Sequence, residues 1–120
     1  MQPFRGFVVP TATPVPDQFF DELLPVLGLA ELRVLLFLIR CTYGSRRVSA
    51  DLSLRQMLTG VHDSDGYLVA PGIGLSKATL CRALASLRRR GVIIAERQRS
   101  PEQGNEPTRY RLNTGSFGTP

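Results

Sequence analysis

A chain of 120 residues has room for one domain and its tails. Its apolar fraction of 42% is enough for a packed core, and fifteen basic against ten acidic residues leave it at +5, an excess that suits a polyanionic partner. The longest apolar run, Val34 to Ile39, falls far short of the ~18 residues of a membrane span. Pro10, Pro14 and Pro16 interrupt the start, where a secretory signal needs a continuous apolar stretch. The expectation is a soluble, cytoplasmic protein.

Residues 1–16 predict an extended arm, because proline restricts both itself and the residue before it. Asp17 then stands as an N-cap, with Phe19, Phe20, Leu23, Leu24 and Leu27 at helical spacing behind it and Pro25 shortening or kinking the segment. Gly28 separates this from a stronger helix, Leu29 to Thr42. Leu32, Leu35, Leu36 and Ile39 form one face of it, and Val34, Phe37 and Leu38 spread apolar surface around the rest. Such a helix belongs beneath a cover, for which Phe19, Phe20, Leu23 and Leu24 are the favoured candidates, or in a homodimer contact. Tyr43-Gly44 closes it.

A brief strand is predicted at Val48–Leu52, followed by a short helix from Leu54 to Thr59 with Ser53 as its N-cap and Gly60 as its stop. In residues 61–74, Asp65-Gly66 marks a turn between Val61 and Tyr67-Leu68-Val69, a small hairpin. Ser76 caps the clearest helix, Lys77 to Arg90, with Leu80, Ala83, Leu84 and Leu87 on one face and Gly91 ending it. Val92–Ala95 and Arg109–Leu112 read as two strands of a hairpin whose long polar tip runs from Gln98 to Thr108. Thr114 to Pro120 reads as a loose tail, which leaves 17–113 as the domain.

This order, helix, helix, short strand, short helix, long helix, hairpin, is mainly α with a small β-hairpin and matches a winged helix-turn-helix. There the second helix of the pair enters the major groove while the first braces it on the backbone. The face opposite the leucines of the 77–90 helix holds Ala78, Arg82, Ala85 and Arg89, with Cys81 and Ser86 at its edges, and Lys77 and Thr79 flank the first turn. Residues 76–99 carry seven basic side chains against one acid, a local +6, so the rest of the chain sits near neutrality at −1. Charge gathered on one helix and the adjacent strand is the footprint of phosphate binding. The cations Arg88, Arg89 and Arg90 also suit a helix C-terminus for its own sake. Candidate DNA contacts are therefore Ser76, Lys77, Ala78, Thr79, Arg82, Ser86, Arg89, Arg97, Arg99 and Arg109. Fourteen of the fifteen basic residues are Arg, whose planar fork fits phosphate and guanine edges.

Other chemistries find little support. Cys41 and Cys81 lie forty residues apart, and with a single His (His62) they cannot complete a structural zinc site. A buried reduced thiol is expected at Cys41, and a buried or half-exposed one at Cys81. Asp63 and Asp65 are the closest acid pair and read as a solvated turn. No P-loop or nucleophile–base pair stands out, so no enzyme activity, cofactor or metal is expected.

The stretch TPVPDQFFDELLPVLGLAELRVLLFLIRCTYG, residues 13–44, resembles the start of the N-terminal domain of the phage replication protein O family. LSLRQMLTG (52–60) and GLSKATLCRALASLRRRGVI (74–93) are similar to that family's strand, short helix and recognition helix. The resemblance implies a winged helix that binds duplex DNA at a replication origin, close to the nucleoid, with helicase-loading proteins recruited by a separate C-terminal region. This sequence departs from the family pattern by the 61–74 insertion, where the family has a tight turn, and by ending at 120 without an obvious recruiting domain. Two further readings stay open: a winged-helix transcriptional regulator, and a winged helix whose basic face takes an acidic protein.

Overall fold

Among the described residues, 3–9 and 11–16 carry no regular secondary structure, in keeping with the prolines among them, and a short helical turn follows. The computed structural model describes residues 3–9, 11–97 and 107–114. The expected first helix survives only as a π-helical turn at Phe19–Leu23. Asp17 already lies within the helical segment and does not cap it, and Pro25 falls in the turn that follows. Phe19 is buried and Leu23 half-buried, but Phe20 and Leu24 face outward, so this segment supplies only part of the expected cover.

Helix α1 (Leu29–Cys41) buries Val34, Leu35, Leu38, Ile39 and Cys41. Each such side chain contributes roughly 1.5–3 kcal/mol when taken out of water. The buried Thr42 hydroxyl donates back to the Leu38 carbonyl at 2.7 Å, which satisfies a polar group that would otherwise be costly to bury. A 3₁₀ turn, Tyr43–Ser45, follows, and the left-handed residue that ends it is Arg46, with φ at 57°. At Gly44 a Cβ would meet the Arg40 guanidinium at 2.8 Å and the Thr13 hydroxyl at 2.9 Å, side chains that would have to shift to admit it.

Strand β1 (Ala50–Leu52) leads into helix α2 (Leu54–Thr59). The Ser53 hydroxyl accepts from the Gln56 amide while the Gln56 side chain accepts from the Ser53 amide, a reciprocal capping box that starts this short helix. Gly60, at φ 116°, turns the chain into strand β2 (Gly60–His62), which pairs antiparallel with β3 (Leu68–Pro71). The Asp63 carboxylate closes that hairpin by accepting from the Asp65 and Tyr67 amides at 2.9 and 3.0 Å. Helix α3 (Lys77–Arg89) follows, with the Ser76 hydroxyl accepting from the Thr79 amide.

Strands β4 (Ile93–Arg97) and β5 (Thr108–Leu112) complete a three-stranded antiparallel sheet in the order β1–β5–β4. Helices α1 and α3 pack together, α1 also rests on β5, and α3 contacts β4. The result is an α/β arrangement around one core that joins α1, α3 and the inner face of the sheet. No helix among the described residues is long and apolar enough to cross a membrane.

Candidate nucleic-acid interface

Helix α3 divides its surface cleanly. Leu80, Ala83, Leu84 and Leu87 are buried, while Lys77, Ala78, Cys81, Arg82, Arg88 and Arg89 are exposed. Its N-terminal turn is fixed by Ser76, whose hydroxyl also donates to the Thr79 hydroxyl at 2.9 Å. Thr79 is half-buried, and its hydroxyl accepts from the Arg82 guanidinium at 3.3 Å. That contact draws Arg82 back along the helix toward its N-terminus.

Sheet register decides which strand cations share this side. Ala50, Tyr110 and Ala95 stand opposite one another across β1, β5 and β4, and Leu52, Thr108 and Arg97 form the next aligned row on the same face. Ala50, Leu52, Tyr110 and Ile93 on that face are buried, so it is the face turned to the helices. Arg97 lies at its exposed end. The charges of Arg88 and Arg97 both act on the Tyr110 hydroxyl, whose pKa is raised chiefly by its burial. The register thus puts Arg97 on the helix-facing side of the sheet, at its exposed end. A cleft between α3 and β4 is lined by Ala85, Arg88, Arg89, Ile93, Ile94 and Ala95: two guanidiniums over an apolar floor.

Two candidate contacts have other employment. Arg109 lies on the opposite face of the sheet, where its register partners are Asp51 and Glu96. It donates to the two oxygens of Asp51 at 2.9 and 3.3 Å. The hydrogen bond from Arg109, assisted by its charge, holds the Asp51 carboxyl below its ordinary pKa. Arg109 is thus turned from α3 and neutralised. The Ser86 hydroxyl, placed at an edge of the outer face by the helical wheel, turns inward and donates to Glu31 at 2.6 Å. Arg90 donates to the same Glu31 oxygen at 2.9 Å, which takes one more cation out of the cluster. Arg99 lies outside the described residues.

Arg88 lines the cleft between α3 and β4 although it stood outside the candidate set. Its signal was present: Ala85, Arg88 and Arg89 fall at i, i+3 and i+4, which places them side by side on a helix. The thiols separate clearly, Cys41 buried and Cys81 exposed, with no disulfide. Burial pushes the Cys41 thiol up, away from the reactive thiolate. Among the described residues no three His, Cys, Asp or Glu side chains gather to hold a metal ion. Comparison with protein-family models, with curated proteins and with solved structures gives no match to this chain.

Proposed function

We propose that the chain is a winged helix-turn-helix that binds double-stranded DNA in a sequence-specific manner. In this reading α2 and α3 are the helix-turn-helix pair, α3 enters the major groove, and the β4–β5 hairpin is the wing. One observation carries it. Lys77, Arg82, Arg88 and Arg89 are exposed on α3 and Arg97 lies on the facing edge of the sheet, with small Ala78 and Ala85 between them, whereas Arg90 and Arg109 are tied to carboxylates. The unpaired cations of this region share the outer side of α3 and the adjoining strand, and small side chains let a backbone come close.

In this reading Arg82, one turn into α3, reads a guanine edge, Lys77, Arg88, Arg89 and Arg97 hold phosphates, and Arg99, two positions past β4 in the sequence, adds a fifth phosphate contact. The chain is a binding domain in this reading and performs no catalysis. Its resemblance to the phage replication protein O family supports initiation of phage- or plasmid-type replication as the setting, with helicase-loading proteins as further partners.

The test is a mobility-shift titration of the full chain on random-sequence duplex over a salt series, followed by selection from a random pool. Binding that weakens steadily with salt, and enrichment of one sequence, are expected. No shift at low salt would remove the DNA reading and leave the acidic-protein alternative.

A further inference from the structure

The hairpin β2–β3 is inserted between the two helices proposed to read DNA, yet its chemistry suits a protein. Residues 60–71 contain Asp63 and Asp65 and neither Lys nor Arg, an acidic island in a chain of +5 and one that phosphate repels. Asp63 is committed to the turn, which leaves the exposed Asp65 carboxylate at its rim. Beside it Tyr67 is 72% and Leu68 55% exposed.

A second exposed strip runs along α1. Leu29, Arg33, Leu36 and Arg40 recur at i, i+4, i+7 and i+11, one stripe of the helix, and all four are exposed, Leu29 by 83% and Leu36 by 42%. The acid of this helix, Glu31, is turned to Ser86 and Arg90, so the stripe is purely apolar and basic. The helix that carries it touches the hairpin. Helix α1 contacts β3, and the Arg33 guanidinium donates to the Gly74 carbonyl at 3.2 Å, three residues beyond the end of β3.

We propose that hairpin and stripe form one self-complementary surface that takes a second copy of this chain. A patch with an acidic apolar half and a basic apolar half mates with its own image across a two-fold axis, each half meeting the other. Asp65, Tyr67 and Leu68 of one copy then lie on Arg33, Arg40, Leu29 and Leu36 of its partner, twice over. A foreign basic segment would satisfy the hairpin but leave the Leu–Arg stripe uncovered, whereas a second copy covers both. Four large apolar side chains on each copy fall short of the ~800 Å² per partner of a standard interface. The association is therefore weak and is loosened by salt. It goes beyond the DNA reading and stands without it.

Sedimentation equilibrium of the full chain, without DNA and at low salt, tests the surface. A monomer–dimer equilibrium is expected. Asp65→Arg and Arg40→Glu should each weaken it about tenfold or more, and the double variant should recover most of the loss because the pair reforms with its signs exchanged. Leu29→Ser removes apolar contact without touching charge or core and should weaken dimerisation as well. Circular dichroism confirms that each variant folds, and Leu29→Ser carries the test alone if a charge reversal does not. A wild-type chain that stays monomeric throughout, or a dimer indifferent to all these variants, overturns the proposal. A monomer that still shifts duplex DNA overturns this surface alone, and a dimer that does not shift it overturns only the DNA reading.

Discussion

Glu31 shows how one side chain can set the pose of a helix. Its carboxylate accepts from the Gly28 amide at 2.9 Å, the Ser86 hydroxyl at 2.6 Å and the Arg90 guanidinium at 2.9 Å, and so pins the start of α1 to the end of α3. Burial raises this carboxyl, but the three donors outweigh burial and hold it below its ordinary value. A carboxyl with a depressed folded pKa stabilises the fold at any pH above its unfolded value, and the contribution fades as pH falls through the folded one. Glu31→Gln is expected to cost about 1–3 kcal/mol at neutral pH. In a domain of this size each kcal/mol is read as a loss of roughly 4–8 °C in Tm. Melting curves taken from neutral into acid should converge for the two proteins at low pH, and a constant gap would show that packing accounts for the loss. Arg82 makes the matching test for the outer face. Arg82→Ala should weaken a preferred duplex by ~1–3 kcal/mol and random duplex by less, and equal losses in a paired titration would reduce Arg82 to a phosphate contact.

Elements whose stop and start signals are local were legible in the sequence. Ser53 with Gly60, Ser76 with Gly91, and Asp65-Gly66 each act within a few residues, and α2, α3 and the β2–β3 hairpin stand where those residues place them. What could not be read depends on distant partners. Ser86 and Arg109 looked like outer-face residues until carboxylates 55 and 58 positions away claimed them. The first helix is cut to a turn that leaves Phe20 and Leu24 facing outward, while the Phe20 ring packs edge-on against Phe19. Gly72 was equally silent. A Cβ there would collide with the Leu58 backbone carbonyl, which cannot move without distorting α2, so Gly72 allows the close approach in which the Ile73 amide bonds the Met57 carbonyl at 2.9 Å. Gly72→Ala should therefore destabilise the fold by roughly 1–3 kcal/mol in a urea titration, whereas Gly66→Ala, at a site with open space, meets no such clash and pays only for its φ of 85°.

At the scale of the whole molecule the charge is lopsided, and that asymmetry yields the most general test. The region 76–99 holds +6 while the remainder is slightly negative, and Arg90 is paired within the fold. On the DNA reading proposed above, Lys77, Arg88, Arg89, Arg97 and Arg99 are then left for phosphates, with Arg82 for a base. At ~0.9 per phosphate neutralised in B-DNA, five contacts give a log–log salt slope of about −4.5, or a loss of roughly 500-fold between 50 and 200 mM salt. Arg97→Ala combined with Arg99→Ala should reduce that slope by about two, because Arg97 ends β4 and Arg99 follows it two positions on in the sequence. An unchanged slope would mean that the wing stays off the DNA and that the α3 cations act alone. A slope near zero for the wild-type chain would be incompatible with phosphate binding by this face. The paired Arg109 supplies the internal control: Arg109→Ala removes a cation that faces Asp51 on the far side of the sheet, so it should leave the slope where it was.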